Sequence, residues 1–427
     1  MKVQPPDLRI QKLLDRVFRM PAYDWSDLTD PRRRRGRRWT LKHLINGAFA
    51  GLLANCPTLR DVETMTEEMG PAGRKYVPRR VPDTTLWQVL GKLNAQELRV
   101  KHQAQVRAAW RSKSLTPVGL PCGVVAIDGK GLGALEHDAE GTAQKAHRSH
   151  DGSPYWLTRA LRAVLTSAQG KPCLDQMPVD GKTNEMATFG DFFADLMRVY
   201  GAGNLFEVVT VDAGMVSRAN ADRVHAANKG YVMALKGTQP ELFAEAKRLL
   251  GRPGRKPERE GEVEVYQGHR VQRRLYRTSD MAGYHGWSHL QQVWRVEQET
   301  RDTEGKLLGR EDRYFLTNLR PGRLTLAQTL LVVRCHWGVE NDCFWSLDTQ
   351  WREDAVPWCS QGLAVEVLSW LRLMAYNLLQ FARRAHLRLR NPTDATLAPP
   401  PAWRRIFDWV RQAWRRPLTA EADTVCG

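Results

Sequence analysis

Two runs of mostly branched aliphatic residues constrain the fold of this chain more than any other feature: Val124-Val125-Ala126-Ile127 and Val208-Val209-Thr210-Val211. Each reads as a buried strand. Each then meets an aspartate, Asp128 and Asp212, followed within two residues by a glycine. In an open α/β sheet the strand ends are where ligands bind, because side chains there project from a rigid edge. One such aspartate is usually a cap or a turn residue. Two of the same form point to a shared carboxylate site.

The order of elements around these runs predicts the architecture. Residues 1–120 carry mainly helical patterns, over Thr40–Cys56 and Thr84–Trp110, the second broken near Asn94. From 121 onward the pattern alternates. The Val124 strand is followed by a hairpin turning at Gln169-Gly170-Lys171 and an amphipathic helix over Thr183–Tyr200. The Val208 strand, a capped helix and the short strand Tyr231–Gly237 come next. That order predicts an α/β fold, a mixed sheet flanked by helices. A charged Gly/Pro-bearing loop, Gly251–Val265, opens a β-rich insertion with a turn at Glu304-Gly305. Long helical patterns follow over Thr325–Asp348 and Gly362–His386, and a proline-rich linker leads to an arginine-bearing tail. The expected division is therefore a helical, basic region at 1–120, the first part of the core at 121–240 and the β-rich insertion at 241–322. The helical remainder of the core spans 323–390 and the Pro/Arg-rich tail 391–427.

Charge narrows the partners. A net charge of +17, from 64 Lys and Arg against 47 Asp and Glu, favours a polyanion. The densest cluster is Arg32, Arg33, Arg34, Arg35, Arg37 and Arg38, just ahead of the first long helix, and it reads as a phosphate-tracking arm. No run of about 18 apolar residues is present, as a membrane span would need. The first residues are broken by prolines and charges where a signal peptide is apolar, so a cytoplasmic location is expected. The seven cysteines are odd in number and lack CxxC pairs. Cys335, His336, Cys343 and Cys359 lie close together but match no common zinc spacing, so free core thiols are expected.

Two carboxylates a few ångström apart each disfavour the other's ionised form, and a divalent cation removes the conflict. In a basic, phosphate-seeking chain that cation is Mg²⁺. A nucleotide site fails by counting. Gly123 to Gly129-Lys130 imitates a P-loop, but five residues separate the glycines where four are needed, and Gly131 stands in place of Ser or Thr. A third carboxylate is expected from a helix on the sheet. Glu340 shares a helical face with His336 and Phe344 and is expected half-buried; an ion pair with Arg334 or Arg352 is the competing reading. Lys130 and Lys236 each follow a buried strand and are candidate phosphate contacts. Trp337 and Trp345, at helical spacing, are expected in the core.

The segments AIDGK, DGKTNEM, TVDAG, ALKGTQ and HWGVENDCFWSLDTQWRED resemble, in order, the motifs of DDE transposases of bacterial insertion sequences. The nearest subgroup contains the H-repeat-associated proteins, and the resemblance runs from about Asp30 to Gln380. It implies an RNase H-like catalytic core, preceded by a helical DNA-binding segment and interrupted by a β insertion ahead of the final acidic helix. The family's three catalytic, metal-binding carboxylates fall on Asp128, Asp212 and Glu340. Its HW-x-x-EN pattern falls on His336, Trp337, Glu340 and Asn341, and its K-x-N-E segment on Lys182, Asn184 and Glu185.

The chain departs from the wider superfamily's Y-x-x-R-x-x-x-E-x₆-K arrangement, with Val333, His336 and Leu347 at those three positions. Arg334 or Arg352 would have to hold the DNA end instead. The implied chemistry uses Mg²⁺, with Mn²⁺ able to substitute: Asp128 bridges two ions, and Asp212 and Glu340 each complete one coordination sphere. Water frees a 3′-hydroxyl at the element end, and that hydroxyl attacks target DNA. Double-stranded DNA and a second copy of the chain, as a homodimer on DNA, are the implied partners. The implied DNA contacts are the arginine cluster with Lys130, Lys236, Arg334, His336 and Arg352. A non-catalytic DNA-binding descendant and a stand-alone nuclease on the same fold are the competing functions.

Overall fold

The computed structural model describes residues 5–137, 144–355, 358–361, 363–386 and 399–417. Two compact units divide the chain. One draws on Met1–Ser114, Gly131–Arg159 and Phe344–Gly427, the other on Leu115–Lys130 and Ala160–Cys343.

The first unit opens with α1 (Pro6–Val17), α2 (Leu41–Leu53), α3 (Leu59–Glu67), α4 (Pro71–Arg74), α5 (Asp83–Leu90) and α6 (Ala95–Arg111). Local sequence sets their ends. Thr40 caps α2 by accepting from His43 N–H at 3.2 Å, and Thr58 with Asp61 forms a capping box on α3. Asn94 accepts from Gln96 N–H at 2.9 Å and so starts α6 as a new helix, which is the expected break.

The sheet begins with β1 (Val124–Leu135), β2 (Gln144–Arg148), β3 (Pro154–Leu165) and β4 (Cys173–Pro178). Then follow α7 (Glu185–Tyr200), β5 (Val208–Val211), α8 (Arg218–Ala226), β6 (Gly230–Leu235) and α9 (Pro240–Leu250). Five further strands precede α10 (Leu326–His336): β7 (Arg259–Glu260), β8 (Glu264–Tyr266), β9 (His269–Thr278), β10 (Gln292–Arg301) and β11 (Leu307–Thr317).

In the second unit the strands run β3-β1-β5-β6-β11-β10-β9-β7, with β4 paired to β3 and β8 to β9. β2 pairs with the opening residues of β3 in the first unit. The pairs β1–β5 and β5–β6 are parallel, whereas β6–β11, β11–β10 and β10–β9 are antiparallel. The order β4-β3-β1-β5-β6 is that of an RNase H-like core. The fold is thus a mixed α/β sheet flanked by helices, as expected. Val332 and Val333 of α10 pack into one cluster with Val124, Val208, Val232 and Phe315, which lays α10 on one face of the sheet.

Four details differ from the sequence reading. The β-rich segment prolongs the core sheet, because β11 pairs directly with β6. It is also preceded by a helix, α9, whose Leu242, Ala246, Leu249 and Leu250 form a buried stripe. β1 does not stop at Asp128 but runs through Gly129, Gly131 and Gly133 to Leu135. Those glycines alternate, so they strip side chains from one face of a continuing strand and need not make a turn. Finally, the helical pattern beyond α10 is broken by a π-helical segment, Val339–Phe344.

The first unit closes with α11 (Trp345–Trp351), α12 (Ala364–Phe381) and α13 (Trp403–Arg415). The basic tail is therefore folded over Trp403–Arg415: Trp403, Ile406, Phe407, Val410 and Trp414 form the buried stripe of α13. Most of the proline-rich linker before it lies outside the described residues. None of the described helices is long and apolar enough to cross a membrane.

Candidate active site

The register of β1 on β5 brings two carboxylates together. Ile127 pairs with Val211, so the next residues, Asp128 and Asp212, leave neighbouring parallel strands at the same level. Adjacent strands lie about 4.8 Å apart. β5 ends there, and the Asp212 side chain accepts from Gly214 N–H at 3.1 Å, capping a short 3₁₀ turn. Asp128 is 9% exposed and accepts from Gly129 N–H at 2.8 Å, whereas Asp212 is exposed. By the two-residue alternation of a strand, Asp128 shares the face of Val124 and Ala126, the face that α10 covers.

Burial first, and then the Asp212 carboxylate, push the Asp128 carboxyl up to about 7. Donation from Gly129 N–H opposes them, and Glu340 and Glu185 add to the rise. Four carboxylates therefore share one electrostatic field. Glu340 lies in the π-helical segment and is exposed, not half-buried as expected. Past the end of α10 the wider π turn changes the rotation per residue, so the face inferred from α-helical spacing does not carry over. The same change leaves Trp345 54% exposed, although it was expected in the core. Trp337 is half-buried, with the Arg313 guanidinium 4.2 Å from its ring centroid.

The π-helical segment is tethered. Lys171, in the β3–β4 turn, forms an ion pair with Asp342. Its stem packs on Gly338, where a Cβ would come within 2.9 Å of the Lys171 Cδ and Nζ. One side chain thus holds both ends of the stretch that carries Glu340.

His336, expected at DNA, is buried, and its Nδ1 lies 2.9 Å from Thr210 Oγ1. Burial lowers it to about 4, with Asp212 acting in the opposite direction, so it is neutral at physiological pH. It belongs to the seam between α10 and β5 and offers no cation to phosphate. Lys130 is likewise buried, on the Asp128 face of β1. Lys236 is exposed just beyond β6. Arg334 is exposed but already paired with Glu264 of β8. Arg352, in the first unit, is an exposed residue with a left-handed backbone (φ 49°) that ends α11.

Chemistry of the donor set fits a divalent cation. All its candidate ligands are hard oxygens, and the Asp128 carboxyl is raised first by burial and then by its neighbours' charge, a repulsion that a dication relieves. Asp128, Asp212 and Glu340 would hold it. As they stand, no three His, Cys, Asp or Glu side chains among the described residues are placed to hold a metal ion. Cys335, His336 and Cys343 accordingly form no zinc site, and the described cysteines are free thiols.

A family model described as "Transposase DDE domain" matches residues 122–378, well over half of the chain. The chain belongs to the transposase DDE family. Enzymes of this family work on DNA with divalent metal ions. No curated protein matches the chain. Among solved structures, a piggyBac transposase synaptic complex with hairpin DNA is similar, at a TM-score of 0.46 and 12% identity over 97% of this chain and 80% of that one.

The transposase domain encloses Asp128, Asp212 and Glu340 and leaves the arginine cluster outside, in the first unit. Arg32 is committed there: it pairs with Asp30 and donates to the Trp39 carbonyl at 2.7 Å. Arg37 donates to the carbonyls of Asp30 and Arg32, at 3.1 and 2.9 Å. Arg38 lies over the Trp39 ring, 5.3 Å from its centroid. Arg33, Arg34 and Arg35 have no carboxylate partner among the described residues. Their joint replacement by serine should weaken duplex binding and lower the slope of log affinity against log salt by roughly 0.9 per lost phosphate contact. An unchanged slope in a fluorescence-anisotropy salt series would remove this segment from the DNA surface.

Glu185 is the residue that sequence reasoning did not count among the site carboxylates. Its only signal was its place in the K-x-N-E segment.

Proposed function

We propose that this transposase mobilises a bacterial insertion sequence of the subgroup containing the H-repeat-associated proteins. It cuts the element ends by Mg²⁺-dependent hydrolysis, with Mn²⁺ able to substitute, and joins the freed 3′-hydroxyl to target DNA. The observation that carries this reading is the acidic rim of the sheet. Asp128 sits at its centre, Asp212 leaves the adjacent strand at the same level, and Glu340 arrives from the helical side.

Bound divalent ions would supply an activated oxygen nucleophile and stabilise the charge that develops on the leaving oxygen. The protein's own groups do the rest. Burial of Asp128 at the middle of a continuous strand fixes its direction and keeps bulk water from screening it. The Thr210–His336 contact keeps α10 seated on β5, and the Lys171–Asp342 pair holds the turn that presents Glu340. Arg33, Arg34, Arg35 and Lys236 supply positive charge for the duplex backbone. The acting form is a homodimer that pairs two element ends, in the cytoplasm at the nucleoid.

The test gives the full-length protein Mg²⁺ or Mn²⁺, DNA bearing the flanking terminal repeats, and a target plasmid. Asp128→Asn, Asp212→Asn and Glu340→Gln should each slow end cleavage by on the order of 10³-fold, a loss of several kcal/mol of transition-state stabilisation, and should still shift the DNA in a gel. An Asp128→Asn protein that cuts as fast as the parent would overturn the reading. Ends that are cut but never joined would identify a nuclease instead.

A further inference from the structure

We infer that the groove between the N-terminal turns of α3 and α5 reads base edges of duplex DNA, with Trp87 and Gln88 as its sequence-specific contacts. This rests on the transposase reading and gives that enzyme a surface by which it tells its element ends from other DNA.

α5 has two faces. Leu86, Val89 and Leu90 are buried and seat the helix, whereas Thr84, Trp87 and Gln88, at i, i+3 and i+4 spacing, form a ridge on the other side. A lone exposed apolar residue is ordinary on a protein surface. Trp87, 43% exposed, instead stands over a groove of about 490 Å³. The buried ring of Trp358 lines that groove, held by donation from its Nε1 to the Cys56 carbonyl at 2.9 Å. The first turn of α3, with Arg60, forms the opposite wall.

The groups presented there suit base edges. The Gln88 amide carries a donor and an acceptor side by side, the pattern that pairs with adenine N6 and N7 in the major groove, and the Trp87 ring offers apolar contact to a thymine methyl group. Asp83 also lines the groove. Its charge repels a phosphate, whereas a base amino group can donate to it. The eight residues of α5 measure about 12 Å, close to the width of the major groove.

Apart from Arg60, the cations stand beside the groove. Trp39, at the end of the arginine cluster, donates from its Nε1 to the Arg80 carbonyl at 3.1 Å, just ahead of α5. Arg80 itself is paired with Glu63 of α3 at 3.2 Å. The Arg38 and Arg79 guanidiniums lie over the Trp39 ring, 5.3 and 4.8 Å from its centroid, and neither has a carboxylate partner among the described residues. Cations that hold the backbone thus flank a ridge that meets the bases, the division found in sequence-specific duplex contacts. That charge complementarity commits the groove to DNA.

The experiment titrates full-length protein, in EDTA to withhold divalent metal, onto a fluorescein-labelled terminal-repeat duplex and onto a scrambled duplex of the same composition. Trp87→Ala and Gln88→Ala should each weaken binding to the repeat by roughly tenfold or more and leave binding to the scrambled duplex unchanged. Their salt slopes should stay parental, unlike that of the protein lacking Arg33, Arg34 and Arg35. Replacing every thymine of the repeat by uracil removes methyl groups alone, so it should weaken the parent more than Trp87→Ala. Melting temperatures should be parental, because both side chains are exposed. Parental affinity of both variants for the repeat would overturn the inference. Equal losses on the two duplexes would overturn it as well, since they identify a contact to the backbone. Failure of the transposase reading would look different, because Asp128→Asn would then keep cutting the element ends. A parent that prefers the repeat, with both variants keeping that preference, would remove the groove alone.

Discussion

Metal-free Asp128→Asn protein is expected to be more stable than the parent at pH 8 and no more stable near pH 4. The folded parent holds the Asp128 carboxyl at about 7, above its ordinary 3.8, because burial and the Asp212 carboxylate disfavour the charged form. Between those two values the folded state keeps a proton that the unfolded state has released. Parental stability from this group is therefore fully present below about pH 4 and is lost as pH rises through about 7. At 1.36 kcal/mol per unit the loss is on the order of 4 kcal/mol. Asparagine has the shape of the protonated acid and does not titrate, so the variant should keep that stability at every pH. Urea unfolding in EDTA at pH 4 to 8 measures the difference, which should open between pH 4 and 7 and then level off. Divalent metal at pH 8 should stabilise the parent more than the variant, since only the parent has the charge to bind it. If the two proteins keep a constant difference across this range, Asp128 does not carry the strain of the site. The substitution expected to stabilise the apoprotein most is thus also one expected to abolish cleavage.

The parts of this site that were legible in the sequence were those set by local rules. A run of four mostly branched residues marked each central strand, and the aspartates at Asp128 and Asp212 could be paired because parallel strands in register carry equivalent residues to one level. The hairpin at Gln169-Gly170-Lys171 and the helix start at Asn94 followed from turn and cap chemistry in the same way. What escaped was whatever depends on a partner distant in sequence. His336 on a helix suits a phosphate contact as well as a core position, and only Thr210, 126 residues away, decides between them. The π-helical segment is invisible to a 3.6-residue period, so both Glu340 and Trp345 were assigned the wrong exposure. Glu185 was marked only by its place in the K-x-N-E segment, because the glycine it packs against lies 56 positions earlier. The arginines of α13 drew attention away from its apolar stripe, which is equally plain once Trp403, Ile406, Phe407, Val410 and Trp414 are read together.

Gly129→Ala is expected to slow end cleavage by up to roughly 100-fold while Gly131→Ala changes it little, although the two glycines sit two residues apart on one strand. The contrast comes from what each would meet. A methyl group at position 131 would find only Leu157 Cδ1 at 3.7 Å, an ordinary van der Waals contact. At position 129 it would land within 2.6 Å of three atoms of the Glu185 carboxyl group. The clash is with the far end of a flexible side chain, so the Glu185 carboxylate swings out of the site, or β1 shifts. A shift of β1 displaces Asp128, the adjacent residue, and a misplacement of about 1 Å at a reacting centre costs roughly 100-fold. Melting temperatures should stay within a few degrees of the parent, since the clash is with one side chain at the rim of the sheet. Adding Glu185→Ala to Gly129→Ala removes the clash, so the double variant should cleave no more slowly than Glu185→Ala alone, the non-additivity expected of groups in contact. A Gly129→Ala protein as active as Gly131→Ala would mean that the rim tolerates a side chain there, and that the close approach of Glu185 has no part in the chemistry.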